Sequence, residues 1–241
     1  MSQAEAQAAF AGLARDWQGE AQAALGSVAF AAPDKTRILF YDVPGAKQSV
    51  IMLAHPGPAR GASDWFQARA SNFILGGGGF ASRLTQELRE GKGYTYGVRS
   101  AFDGMTTGGT LTVMSPVRAN VTLEAATLMR DIVRDYGRTF TDADLALTKG
   151  SMIKSRAREF ETLEAKVHLL GTIGDNGLPA DVVARENATL AALDKATVQK
   201  VAKAYLDTDR MIIVVVGDAA SQAKRLEALG YGAPVMVPPL R

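Results

Sequence analysis

Arg89 and Tyr96 stand seven positions apart, on either side of a Gly-Lys-Gly turn. A guanidinium presents a planar fork of N–H donors and a phenol presents one O–H. Meeting at one edge of a fold, the two can grip the carbonyl groups of a polypeptide. They close a run, residues 76–97, that reads Gly-Gly-Gly-Gly-Phe-Ala-Ser-Arg-Leu-Thr-Gln-Glu-Leu-Arg-Glu-Gly-Lys-Gly-Tyr-Thr-Tyr-Gly. Glycines ahead of a helix can also cradle a phosphate. This run fits neither Gly-x-Gly-x-x-Gly after a first strand nor Gly-x-x-x-x-Gly-Lys-Ser/Thr, and it follows a helical pattern. The plainer reading makes the four glycines a flexible joint between two helices, because glycine accepts positive φ. Taken alone, Arg89 reads as a solvated charge that suits the end of a helix dipole. Tyr94 and Tyr96 read as strand residues sharing a face, their hydroxyls in water.

Other reactive side chains are sparse. The chain has no cysteine, which excludes disulfides, thiolate metal sites and a cysteine nucleophile. Its two histidines, His55 and His168, form no His-x-x-Glu-His, inverted form or His-x-x-His pattern, so spacing argues against a zinc site of its own. Glu164 and His168 lie at i, i+4 and read as a hydrogen-bonded helix-surface pair. His55 reads as a strand-end residue, and the mixed charges from Lys154 to Glu164 as a solvated helix face. No serine sits in Gly-x-Ser-x-Gly, and Ser82 has no base within sequence reach. Spacing alone gives no complete catalytic machine.

These groups must be carried by a globular scaffold. The chain has 241 residues, 47% apolar and 22% charged, enough for a sizeable core without staples. A formal charge of +2 gives no reason to expect nucleic acid or an anionic membrane as partner. No run of 18 apolar residues is present, and residues 1–30 lack the basic and apolar regions of a signal peptide.

Residues 3–25 read as an Ala-rich helix or linker, and 37–41 and 49–55 as strands around Val43-Pro-Gly. Ser63 is placed to cap a helix through Trp65, Phe66, Ala70 and Phe73. Phe80, Leu84 and Leu88 at i, i+4, i+8 predict one buried helix face. Residues 94–105 and 110–115 predict an antiparallel pair. The stripe from Val121 to Tyr136 predicts a helix closed by Gly137. Thr141 and Asp144 predict a capping box, with Phe140 and Leu145 as its staple, on a helix reaching about 160. A further helix covers 163–170, Gly171, Gly174 and Gly177 mark loops, and Pro179 suits a first helical turn. Asp194 caps a helix to about 206. Residues 211–216 read as a strand covered on both faces, and a last helix, 219–229, precedes a Pro-rich tail. The order β-β-α-α-β-β-α-α-α-α-β-α indicates an α+β fold: a mixed, mostly antiparallel sheet with helices packed on one face. The expected division is a helix or linker over 1–35, one domain over 36–235 and a tail over 236–241.

The stretch from Asn72 to Val98 closely resembles the second, metal-free half of the pitrilysin/insulinase zinc metallopeptidases, a family that includes the mitochondrial processing peptidase and bacterial two-part zinc proteases. Further matches are Val43-Pro-Gly-Ala-Lys-Gln-Ser-Val-Ile51, His55-Pro-Gly-Pro-Ala-Arg-Gly61, Phe160-Glu-Thr162 and Tyr205-Leu-Asp-Thr-Asp-Arg-Met211 leading into Val-Val-Val-Gly-Asp218. The resemblance covers roughly residues 36–218. It implies two similar halves closing around an extended peptide, with zinc in the first half and none in this chain. It also implies that Arg89 and Tyr96 hold the substrate near the scissile bond, while Gly77, Gly78, Gly79 and Phe80 border the substrate and let the arginine approach it. Hydrolysis would then require a zinc-bearing N-terminal half or subunit as partner. A homodimer of the isolated half is a further expectation. The alternative is a structural or assembly subunit derived from such a peptidase, although those tend to lose the grip residues. The linker-like start, with Trp17-Gln-Gly19, favours a C-terminal piece of a longer protease over a natural subunit. The resemblance points to the periplasm and leaves the cytoplasm open.

Overall fold

The computed structural model describes residues 2–17 and 31–238. The first helix, α1 (Gln3–Asp16), opens on a reciprocal box: Ser2 Oγ accepts from the Glu5 N–H, and the Glu5 carboxylate accepts from the Ser2 N–H. Residues 18–25 of the expected helix or linker lie outside the described residues.

Six strands form one sheet: β1 (Arg37–Asp42), β2 (Gln48–Gly57), β3 (Arg99–Met105), β4 (Gly108–Arg118), β5 (Ile212–Gly217) and β6 (Val235–Val237). Their order is β3-β4-β2-β5-β1-β6. Three pairings are antiparallel (β3 with β4, β4 with β2, β2 with β5), and β1 runs parallel to both β5 and β6. The sheet is therefore mixed and mostly antiparallel, as expected. Although β1 and β2 are consecutive in sequence, β5 lies between them. The segment expected to be a Pro-rich tail contributes β6 at the edge beside β1.

The helices are α2 (Trp65–Asn72), α3 (Thr122–Thr139), α4 (Asp142–Glu159), α5 (Leu163–Asn176), α6 (Val182–Ala192), α7 (Lys195–Tyr205) and the short α8 (Ala219–Gln222). Five of them separate β4 from β5, where the expected order had four. Alternate strand residues Ile38, Phe40, Ile51, Leu53, Leu111, Val113, Ile213 and Val215 pack against Ala125, Met129, Val133 and Tyr136 of α3 and Val198 and Val201 of α7. Each such side chain stabilises the fold by about 1.5–3 kcal/mol relative to exposure. The other sheet face is only half covered. In β5, Ile213 and Val215 are buried while Ile212, Val214 and Val216 are half-buried. This corrects the reading of β5 as covered on both faces. An all-apolar strand looks the same in sequence whether one face or two are packed.

Local signals hold where they are short-range. Thr141 Oγ1 accepts from the Asp144 N–H and the Asp144 carboxylate accepts from the Thr141 N–H, which completes the capping box. Asp194 caps α7 by accepting from the Thr197 N–H at 2.7 Å. Others shift. The residue before α2 is Asp64 rather than Ser63, and its carboxylate accepts from the Tyr205 hydroxyl at 2.5 Å instead of capping the helix. Gly171 and Gly174 lie inside α5, and only Gly177, at φ +58, ends it. A glycine inside a helix costs about 1 kcal/mol, too little to break a helix that tertiary contacts support.

Candidate functional site

The helical run that carries Arg89 begins where Ser82 accepts from the Thr85 N–H. It widens into a π-helical stretch, Thr85–Gly91. Its end is a left-handed glycine stop, one residue wider than a Schellman turn because it closes a π-helical stretch. The Tyr94 N–H donates to the Leu88 carbonyl at 2.9 Å and the Gly93 N–H to the Arg89 carbonyl at 3.0 Å, with Gly93 at φ +59. Buried Leu88 and half-buried Tyr94 make the apolar contribution that accompanies this turn. The Gly-Lys-Gly sequence is thus a helix stop that reverses the chain directly after Arg89.

Beyond the turn the backbone bends at Tyr96 and does not join the sheet until Arg99, so the expected strand from Tyr94 starts five residues later. Thr95 is the anchor. Its hydroxyl accepts from the Gly97 N–H at 3.0 Å and donates to the Pro116 carbonyl of β4 at 2.5 Å. With Thr95 buried, Tyr96 is turned outward and is 92% exposed. Tyr94 packs on the core, so the two tyrosines do not share a face. Sequence reasoning passed over Thr95. The available signal was a small hydroxyl residue alternating with two tyrosines, which a period of two turns inward when the second tyrosine points out.

Arg89 and Tyr96 line one cleft of about 610 Å³ at the end of the sheet where Gln48 opens β2 and Arg118 closes β4. Its lining carries two guanidinium groups, Arg89 and Arg118, and one carboxylate, Glu90, so the cleft has a positive bias toward carbonyl and carboxylate oxygens. Arg89 pairs with Glu90 at 3.3 Å and lays its guanidinium over the Phe80 ring, 4.7 Å from the centroid. Phe80 is therefore not on the buried helix face expected of it. The residue lies in a short helical turn, Gly79–Ala81, ahead of the helix, and is 62% exposed, whereas Leu84 and Leu88 are fully buried. The i, i+4, i+8 pattern fails because Phe80 and Leu84 belong to different helical turns.

The four glycines also differ from one another. A Cβ at buried Gly76 would lie 2.4 Å from Ser100 Oγ and 2.5 Å from the Ser100 nitrogen. One at Gly77 would meet Asn72 Nδ2 at 2.8 Å, and one at Gly78 the Phe73 carbonyl oxygen at 2.7 Å. Only Gly79 has positive φ, +59, with open space around it. Three of the four are therefore close-packing glycines rather than a joint. Gly77 and Gly78 line a separate cavity beside β3, not the cleft of Arg89 and Tyr96. A third cleft, about 630 Å³ between α3 and α7, contains none of the candidate site residues.

Among the described residues no group of three His, Cys, Asp or Glu side chains could hold a metal ion. The His55 ring contacts the Pro56 carbonyl through Nδ1 at 2.7 Å, and Glu164 and His168 are exposed on α5. The described residues do not fit a zinc ion.

The model of the peptidase M16 inactive domain matches residues 2–152. An uncharacterized zinc protease of Mycobacterium tuberculosis is 32% identical over 130 residues, a match covering 52% of this chain and 29% of that protein. The crystal structure of a peptidase M16 inactive domain from Pseudomonas fluorescens superposes with a TM-score of 0.80 at 27% identity, over 100% of this chain and 53% of that one. A protease from Helicobacter pylori shares the fold, with a TM-score of 0.71 at 15% identity over 82% of this chain and 48% of that one. This chain thus spans about half the length of these two solved chains. On its fold and its sequence, the chain belongs to the peptidase M16 inactive-domain family.

Proposed function

We propose that this chain is the substrate-binding, non-metal half of a zinc metalloendopeptidase, with Arg89 and Tyr96 holding the peptide near the bond to be cut. The observation that carries the reading is their shared cleft: a guanidinium braced on Phe80 and a phenol held out in solvent by the Thr95 anchor, with positive bias around both. Neither donor is committed to the core, since Tyr96 is 92% exposed and the Arg89 side chain is 39% exposed. Zinc chemistry belongs to a partner half in this reading. The donors here orient the substrate and stabilise the oxyanion that develops on its carbonyl. The residues Gly77 and Gly78 act on Arg89 only indirectly, through the packing that sets the start of its helix.

The test combines this chain with a zinc-bearing M16 half in trans and follows cleavage of an extended peptide. Arg89→Ala and Tyr96→Phe should each lower kcat/KM, by about a hundredfold for a well-aimed oxyanion donor. Unchanged rates in both variants would refute the assignment and favour an assembly subunit.

A further inference from the structure

A second cavity, about 550 Å³, opens between α2, α4 and the edge strand β3, and its wall includes Arg60, Trp65, Arg69, Asn72, Gly77 and Gly78. Its charged side chains suit an anionic ligand. The wall carries two guanidinium groups and no carboxylate. The acids that pair with them, Glu186 with Arg60 at 3.1 Å and Glu159 with Arg69 at 3.5 Å, line a neighbouring cavity on the far side of the two arginines. Arg156 joins both acids, at 3.1 Å from Glu186 and 3.5 Å from Glu159. The network thus sets three cations (Arg60, Arg69, Arg156) against two carboxylates, a surplus of one positive charge. The Trp65 indole lies under Arg60, and its buried Nε1–H has no hydrogen-bond partner among the described residues. Asn72 is held by Ser100 through its Oδ1 and one of its two amide N–H groups.

The remaining wall comes from Phe73, from Met152 and Ser155 of α4, and from β3. β3 is the outer strand of the sheet, and its residues Ala101 and Phe102 face the cavity. Its ends are covered, since Asn72 Nδ2 donates to the Ser100 carbonyl and the Arg60 N–H to the Met105 carbonyl, so a ligand meets β3 at Ala101 and Phe102. We infer that this cavity binds a carboxylate of an extended peptide, its C-terminus or an acidic side chain, with Arg69 as the ion-pair partner and the Trp65 ring as part of the wall beside it. The inference rests on the peptide-binding reading above and adds an anchoring point away from the Arg89–Tyr96 cleft. Arg69 is the adaptable group, because its side chain is 43% exposed, whereas Arg60 at 14% is locked to Glu186.

The chain contains two tryptophans, so its indole N–H resonances report this site against one internal control, Trp17. The intact chain is titrated with three extended peptides of one neutral sequence: one with a free C-terminus, one amidated, and one amidated with a single internal glutamate. The Trp65 indole resonance should move with the first or the third, which identifies the carboxylate source, and stay still with the second. Arg69→Gln should weaken that binding about tenfold, whereas Lys203→Gln, in the cleft between α3 and α7, should leave it unchanged. A Trp65 resonance that ignores all three peptides, or moves equally with the amidated neutral one, overturns the inference, as does unchanged affinity in Arg69→Gln. Cleavage with the zinc half that depends on Arg89 and Tyr96, alongside a flat titration, sinks this anchoring site alone. Carboxylate binding with cleavage indifferent to Arg89 and Tyr96 sinks the grip assignment alone.

Discussion

Replacing Gly76 by alanine should destabilise the fold, although glycine-to-alanine changes in a helical region usually do the reverse. The added Cβ would sit 2.4 Å from Ser100 Oγ, 2.5 Å from the Ser100 nitrogen and 2.8 Å from Leu84 Cδ1. Ser100 cannot step aside freely. It sits in β3 opposite Val113, and both its carbonyl and its hydroxyl are bonded to Asn72. Overpacking of this kind costs about 1–3 kcal/mol, and weakening the Asn72–Ser100 pair adds about 1 kcal/mol per bond. The sum, roughly 3–5 kcal/mol, corresponds to a fall in Tm of about 6–20 °C for a chain of this size. Gly79→Ala is the control. Gly79 has φ +59 and nothing within 4 Å of its absent Cβ, so only the left-handed backbone term applies, about 1 kcal/mol. Urea denaturation of the two variants gives the comparison. A flexible joint would make Gly76→Ala neutral or more stable by about 0.4–1 kcal/mol, through lost entropy of the unfolded chain. A Gly76→Ala midpoint at or above wild type would refute the close-packing argument.

Three further outcomes follow from the same geometry. Phe80→Leu removes the ring beneath Arg89 and should change fold stability by no more than about 1 kcal/mol, while lowering cleavage with a zinc half; full activity would mean that Arg89 needs no brace. Burial alone would raise the Asp144 carboxyl, but hydrogen bonds from the Thr141 N–H and hydroxyl and from Arg83 outweigh it and hold the pKa below the usual carboxylate range. The stability this carboxylate contributes is present above its unfolded pKa of about 3.9 and is lost as pH falls through its lower folded value. Asp144→Asn should therefore be less stable by about 1–2 kcal/mol at pH 7 and show a flatter loss below about pH 4 in acid titration by circular dichroism. Glu186→Ala strips the partner from Arg60 and Arg156 and should cost about 3–5 kcal/mol, with Arg156→Met restoring part of the loss in a double variant measured by urea denaturation.

How far each residue could be read from the chain depended on how far away its partners lie. The caps at Thr141 and Asp194, the stop at Gly93 and the apolar stripe of α3 depend on partners within a few residues. Short patterns of residue type suffice for these, because the partner is close in sequence. Arg89 and Tyr96 were singled out by the same means, as donors on either side of a helix stop. Their common cleft also needed Gln48 and Arg118, which meet only through the pairing of β2 with β4. The insertion of β5 between β1 and β2, the uncovered sheet face and the β6 edge strand all depend on strand pairing, which local pattern does not encode. Phe80 and Leu84 look like one helix face until the backbone divides them, and four adjacent glycines look alike until β3 presses against the first. The carboxylate cavity is the extreme case. Arg60 and Glu186 are 126 positions apart, and nothing in composition or spacing joins them. The chain by itself determined its helix ends, its apolar periodicity and the two donors near its middle. The tertiary structure alone decided which donors remain free, since that depends on which distant side chains and backbone groups already occupy the rest.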